Sequence, residues 1–318
     1  MILEDLKKVT LIGAGTMGAG MAMCFAQAGF DVKLQDISEE QLDKALDRIA
    51  KSQDVLIQES VLSVEDAAKA RERIITTSSM EQALDGVQFV LEAVPEVLDL
   101  KLKVFGQIEA LCSEAVILAT NTSGFSVTSI ASACQNPERV VGFHWVNPPE
   151  LVPLVEVIRG KHTKIETAQL ASDLAQKLGK VPIIVQKEVP GHAMNRLQFA
   201  VLREALHLVE EGVVSSEDLD KAMSYGLGFR YPWLGPMKTA DLGGLDIFHS
   251  VASYLFKELS SIKEPPESFR RLINEGKLGI KTGRGFYDYE NESAEKILRK
   301  RDLYFVRQWK LIRELQKD

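Results

Sequence analysis

The sequence predicts an α/β fold class: a doubly wound parallel sheet in the N-terminal part, followed by an all-helical C-terminal part. Two patterns and a length carry this expectation. Short β-branched apolar runs alternate with helical stretches as far as Val185, and beyond Pro190-Gly191 only helical periodicity remains. The 318 residues also exceed the roughly 100–200 of one domain. Domains are expected at 1–188 and 189–318, with no stretch rich in Gly, Ser or Pro to mark a linker.

Taken in order, Val9–Ile12 reads as a strand running into Gly13, and Met17 to Gly29 as a helix of small residues. Phe30–Leu34 is a second strand ending at Asp36. Ser38 followed by Glu39, Glu40 and Gln41 reads as a capped helix start continuing to about Ser52. A helical pair spans Leu56 to Arg73. Further strands are expected at Ile74–Thr76, Val87–Ala93, Val116–Ala119, Val140–Phe143 and Val181–Val185. In the second part, Ala193–Glu211, Ser216–Ser224, Thr239–Leu259 and Glu267–Glu275 read as helices. The last stretch, Glu292 to Asp318, mixes eight basic and five acidic residues around an apolar stripe, which reads as an amphipathic helix docked on the body or on a partner subunit.

Composition narrows the function classes. Hydrophobic residues at 45% and charged residues at 26% describe an ordinary folded chain. The 38 Lys+Arg against 45 Asp+Glu give a net charge of -7, which disfavours a nucleic-acid partner. Cys24, Cys112 and Cys134 are far apart and form no C-x-x-C pair, so neither a disulfide framework nor a metal site is expected. The acids and lysines from Met1 to Lys8 do not resemble a signal peptide, and no run of 18 apolar residues offers a membrane span; the expected location is cytoplasmic.

Gly13-Ala14-Gly15-Thr16-Met17-Gly18 is a G-x-G-x-x-G placed directly between a strand and a helix. Gly13 permits the tight turn, Gly15 leaves backbone bare before a pyrophosphate, and Gly18 lets helix and strand approach, while the helix N-terminus faces the phosphates. Asp36 follows eighteen residues after Gly18 at the end of the second strand. A carboxylate there accepts from a ribose 2′-hydroxyl and repels a 2′-phosphate, so the N-terminal domain reads as Rossmann-type and the cofactor as NAD rather than NADP. The alternative is a glycine turn of some other α/β protein.

Removing hydride from an alcohol carbon requires a base for the hydroxyl proton, and a histidine suits that task near neutral pH. His144 ends the apolar run Val140-Val141-Gly142-Phe143, at the sheet edge where such folds bind ligands. Glu156, twelve residues on, is the one acid inside Leu151 to Ile158 and needs a partner there. An imidazole oriented by that carboxylate follows triad logic, although a structural pair reads the same from residues alone. His162, His192, His207 and His249 are expected in surface or packing roles.

These residues resemble the L-3-hydroxyacyl-CoA dehydrogenase family from about Lys7 to Tyr289. The resemblance rests on the glycine motif, Val94-Pro95-Glu96 with Lys101, Asn121-Thr122-Ser123, Gly142-Phe143-His144 through Asn147-Pro148, and Leu154 to Ile158. Pro190-Gly191-His192-Ala193-Met194-Asn195-Arg196 and the stretch from Gly276 to Tyr287 complete it. It implies oxidation of a 3-hydroxyacyl-CoA to its 3-keto compound, with His144 as general base, Glu156 orienting it, and Ser123 and Asn195 holding substrate oxygens. It further implies Glu96 and Lys101 beside the nicotinamide and its ribose, and a homodimer formed through the helical domain. On residue grounds Ser123 and Asn195 also read as helix caps.

Two segments depart from the acyl-CoA pattern. Gly226-Leu227-Gly228-Phe229-Arg230-Tyr231-Pro232-Trp233-Leu234-Gly235-Pro236 is three residues longer than usual and carries Arg230. It is more similar to the branch that includes lambda-crystallin and L-gulonate 3-dehydrogenase, and to a dehydrogenase of a pyridine carboxylate. Arg230 can pair with a free substrate carboxylate, or it is an exposed loop arginine. The turn from Gln58 to Glu65 has two acids and no lysine where a polyanion such as CoA would favour basic residues. The stretch from Gly279 to Tyr287, in contrast, resembles acyl-CoA enzymes. A free hydroxy acid is therefore the alternative substrate, and a non-catalytic NAD-binding structural protein the alternative class.

Overall fold

A computed structural model describes residues 2–315; positions 1 and 316–318, the outer ends of the expected domains and of the expected C-terminal helix, lie outside the described residues. The chain groups into two units. One runs to Arg196 and includes Asp302–Trp309; the other comprises Leu197–Arg301 and the chain from Lys310 on.

The first unit is built on an eight-stranded sheet: β1 (Lys8–Ile12), β2 (Asp31–Gln35), β3 (Ile74–Thr77), β4 (Phe89–Glu92), β5 (Ile117–Thr120), β6 (Val140–Trp145), β7 (Leu154–Ile158) and β8 (Val181–Val185). Their order is β3-β2-β1-β4-β5-β6-β7-β8. Every residue of β4, β5 and β6 is buried, as expected of strands covered on both faces. On one face, α1 (Thr16–Gln27) can lie close to the sheet because Gly18, Ala19, Ala22 and Ala26 present little side chain. Phe25, Phe30, Phe89, Phe143 and Trp145 fill that layer as a chain of aromatic contacts, with ring centroids 5.7–6.2 Å apart. Ser38 caps α2 (Glu39–Gln58) by accepting from the Gln41 N–H. Ser63 caps α3 (Val64–Glu72) in the same way.

Three differences from expectation have physical reasons. The run Leu154–Ile158 is a strand, and it pairs with β6 antiparallel in an otherwise parallel sheet. Only Val146 to Pro153 separates it from β6, too short for a parallel crossover of about a dozen residues, so the chain can only turn back. The helix expected to end at about Ser52 continues to Gln58, since no Gly or Pro interrupts it over that length. The helix expected over Thr239–Leu259 is two, Pro236–Gly243 and Leu245–Glu258, because Gly244 takes φ 90° between them.

The final helix is Ala294–Leu315. Within the first unit, Val306 enters the main apolar core with Leu303 and Phe305 packed beside it, and the Arg307 guanidinium binds both carboxylate oxygens of Glu59 at 2.8–3.2 Å. In the second unit, the helices Ser216–Ala222, Pro236–Gly243, Leu245–Glu258 and Glu267–Asn274 carry no buried side chain. Phe229, Trp233, Met237 and Phe256 are more than two-thirds exposed. Among the described residues no helix is long and apolar enough to cross a membrane.

Candidate active site

The glycine loop leaves β1 at Gly13, whose φ of 102° suits glycine and whose N–H donates to the Gln35 carbonyl at 2.7 Å. A Cβ at Gly18 would meet the Gly13 carbonyl oxygen at 1.8 Å, so the helix can sit this close only with glycine there. Above Gly15 a Cβ would meet nothing within 4 Å, which leaves open space at the N-terminus of α1; Gly15 and Thr16 are exposed there and Met17 is half-buried. Asp36 follows β2 and ties this loop down: its carboxylate accepts the Ala14 N–H at 2.8 Å and the Ser38 N–H at 3.0 Å. Bare backbone, a helix N-terminus and a carboxylate at the second strand fit a dinucleotide with a free ribose 2′-hydroxyl.

Across the sheet, the β6–β7 register sets His144 directly opposite Glu156. The His144 Nδ1 lies 2.8 Å from Glu156 Oε2, and Nε2 lies 3.2 Å from the Ser123 hydroxyl. Glu156 Oε1 accepts the backbone N–H groups of Ala193 and Met194 at 2.9 and 3.0 Å. Burial alone would push the Glu156 pKa up, but the bonds from His144, Met194 and Ala193 outweigh it and hold the carboxyl below its ordinary 4.5. An ionised carboxylate only accepts, so the His144 proton is assigned to Nδ1 and the bare Nε2 lone pair faces Ser123.

Ser123 is exposed on the turn after β5, and that turn is fixed from both sides. Glu96 Oε1 accepts from the Thr122 hydroxyl at 2.6 Å and from the Ser123 and Gly124 N–H groups at 3.0 and 3.1 Å. The Asn195 amide donates to the Ser123 carbonyl at 3.1 Å, which brings the asparagine to the same turn. Despite partial burial, Glu96 is held below the usual carboxylate range by Thr122, Lys101 and the Gly124 N–H.

Two sequence-predicted residues remain. Lys101 is buried, its ammonium engaged by Glu92 at 2.7 Å and Glu96 at 3.2 Å, so it sits behind Glu96. Arg230 belongs to the second unit, exposed at the end of the short helix Gly228–Arg230. Two further residues were not foreseen. Glu92, which ends β4, gathers Lys101, the Thr120 hydroxyl and the Val94 N–H, all at 2.7 Å; like Glu156, it is an acid set in an apolar run. His192, expected in a surface or packing role, is buried with its ring centroid 5.4 Å from that of His144.

The family model described as 3-hydroxyacyl-CoA dehydrogenase, NAD binding domain, matches residues 8–189, and that described as the C-terminal domain matches residues 191–289. The chain is 35% identical to 5-formyl-3-hydroxy-2-methylpyridine 4-carboxylate 5-dehydrogenase of Mesorhizobium japonicum, over 92% of this chain and 94% of that protein. It is also 35% identical to a probable 3-hydroxybutyryl-CoA dehydrogenase of Bacillus subtilis, over 91% of this chain and all of that protein. The human lambda-crystallin homolog is 36% identical over 82% of this chain and 81% of its own length. Among solved structures, a pyridine 4-carboxylic acid dehydrogenase described as an NAD+-dependent dismutase superposes with TM-score 0.90 at 34% identity, covering 97% of this chain and 99% of its own. The (S)-3-hydroxybutyryl-CoA dehydrogenase of Ralstonia eutropha superposes with TM-score 0.74 at 38% identity, covering 90% of this chain and 99% of its own.

The lowered Glu156 carboxyl sets a stability expectation. A group whose pKa falls on folding adds stability above its unfolded value, lost as pH drops through the folded one. Glu156→Gln should destabilise the protein by about 1–3 kcal/mol near neutrality, in denaturant melts. The gap to the parent should narrow below pH 4.5; a gap constant down to about pH 3 would sink the assignment.

Proposed function

The chain belongs to the 3-hydroxyacyl-CoA dehydrogenase family of NAD-dependent oxidoreductases, and from that premise we propose that it oxidises a secondary alcohol to a ketone with His144 as general base. The observation that carries this reading is the chain of contacts from Glu156 through His144 to Ser123, 2.8 and 3.2 Å long. Gly13, Gly15, Thr16, Met17, Gly18 and Asp36 would hold NAD, with Glu96 toward its nicotinamide end and Lys101 supporting Glu96. NAD supplies the hydride acceptor. The His144 Nε2 lone pair takes the hydroxyl proton, the C–H bond electrons leave as hydride, and a carbonyl remains. Glu156 stabilises the imidazolium so formed, and its second oxygen is already bound by two N–H groups, so it need not reorganise. Ser123 and Asn195 donate to the substrate oxygen.

Two substrate classes share this chemistry. A small hydroxy acid with a free carboxylate is supported by the higher structural similarity to the pyridine carboxylate enzyme and by the absence of any lysine from the turn after α2, Gln58 to Glu65. Arg230 then serves as the carboxylate's cation. A 3-hydroxyacyl-CoA is supported by relatives named 3-hydroxybutyryl-CoA dehydrogenase at 35% identity. The exposed apolar helices of the second unit support a homodimer through that unit, because four helices without a buried side chain need a partner surface. The cysteines are free, which supports a reducing, cytoplasmic setting.

His144→Gln should cut kcat by about 10²–10⁴ while NADH binding, followed by fluorescence, stays intact; unchanged turnover would reject the base. NAD reduction with L-3-hydroxybutyryl-CoA beside free 3-hydroxy acids separates the substrate classes, and Arg230→Ala should raise KM for a free acid about tenfold or more. If free-acid kinetics are unaltered, Arg230 is not the clamp. Sedimentation should give twice the monomer mass; a monomer across concentrations would remove the dimer.

A further inference from the structure

His192 is left over by the chemistry proposed above. It lies on no regular element, its backbone takes φ 51°, a left-handed conformation in which histidine is tolerated, and its side chain is 1% exposed. Its Nε2 lies 3.2 Å from the Thr122 carbonyl oxygen. A carbonyl can only accept, so the proton sits on Nε2. The other nitrogen, Nδ1, is buried with no hydrogen-bond partner among the described residues. The ring stands against His144 at 5.4 Å between centroids and 57° between planes.

We propose that His192 is a positioning residue for the base: a neutral Nε2–H imidazole that pins the Thr122–Ser123 turn to the Gly191–Asn195 turn beside His144. This inference rests on the reading of His144 as base. The two turns carry the two ends of the site. Thr122 and Ser123 place the hydroxyl facing His144 Nε2, while Ala193 and Met194 hold Glu156 behind Nδ1. Apart from the Asn195 amide on the Ser123 carbonyl, the His192–Thr122 bond is what joins them, and it is the buried member of the two.

Neutrality matters as much as position. The ionisable groups facing His192 are His144 from β6, Glu156 from β7 and Glu96 from the segment after β4. A cation at His192 would oppose the imidazolium that forms on His144 during oxidation, and it would need an acceptor for an Nδ1–H that has none. Burial lowers the His192 pKa first; the Thr122 bond pulls it back up, His144 pushes it further down, and Glu156 and Glu96 oppose. The net shift is downward from 6.5, so His192 stays uncharged at neutral pH and costs stability as pH falls through 6.5 toward the folded value.

The test uses the full-length protein and two readouts. ¹⁵N-histidine NMR of the parent near pH 7 should show one buried neutral imidazole protonated on Nε2 that disappears in His192→Phe; a charged or Nδ1-protonated His192 overturns the proposal. In kinetics with whichever of L-3-hydroxybutyryl-CoA and the free 3-hydroxy acids turns over, His192→Phe should lower kcat roughly tenfold with the KM for NAD unchanged. His192→Gln, whose amide donates to the Thr122 carbonyl, should recover most of it. A His192→Phe enzyme with parental kcat overturns the inference, as does a Gln variant no better than Phe. If the Phe variant does not fold, the Gln variant and the parent NMR decide. His144→Gln run alongside separates the failures: full activity there sinks the base reading, whereas its inactivity beside a fully active His192→Phe sinks only the positioning role.

Discussion

A carboxylate sealed inside a sheet must have every oxygen satisfied or it forces the structure around it open, at a cost of several kcal/mol. Glu156, with no exposed side-chain surface, meets that demand through His144 on one oxygen and the Ala193 and Met194 N–H groups on the other. The antiparallel register of β6 and β7 makes this possible, since it sets position 144 directly across from 156. The same contact therefore orients the imidazole, fixes its proton on Nδ1, and anchors the start of the helix at Met194. Shifting the register by one residue would turn both side chains to opposite faces of the sheet and leave two buried ionisable groups unpaired.

A second acid-centred network supports the other side of the site. Glu92 takes up Lys101, and the same ammonium reaches Glu96, which in turn holds three donors of the turn after β5. Lys101 thus acts through its neighbours, and with the Thr122 hydroxyl its charge holds the Glu96 carboxyl below the usual range. Ser123 is consequently exposed yet immobilised, the combination that a preorganised donor needs. His192 and Asn195 close the turn from the opposite side. The hydroxyl that faces His144 is held by parts of the chain more than twenty residues to either side.

Much of this was legible beforehand. The glycine motif with Asp36 marks the cofactor loop because each residue answers a local steric or electrostatic demand, and those demands survive in any fold that places a strand before and a helix after. His144 and Glu156 stood out because an acid inside an apolar run needs a partner. The strand Leu154–Ile158 went unread for a related reason: a short apolar run between Pro153 and Arg159-Gly160 has no periodicity that separates strand from loop.

The sequence by itself determined the class of fold and the cofactor, and it singled out His144 and Glu156 as a candidate pair, since these follow from residue types at short spacings. Only the tertiary structure decided strand direction, and with it the pairing of 144 with 156. Only there did His192 leave its packing role, as a neighbour of His144 across 48 positions of chain. It also showed the basic C-terminal helix placing Arg307 on Glu59, 248 positions away. The physical reason is common to all three. Local patterns fix φ, ψ and burial, whereas which buried polar group meets which depends on chain reversals and loop lengths, and these carry no signature at either residue of the pair.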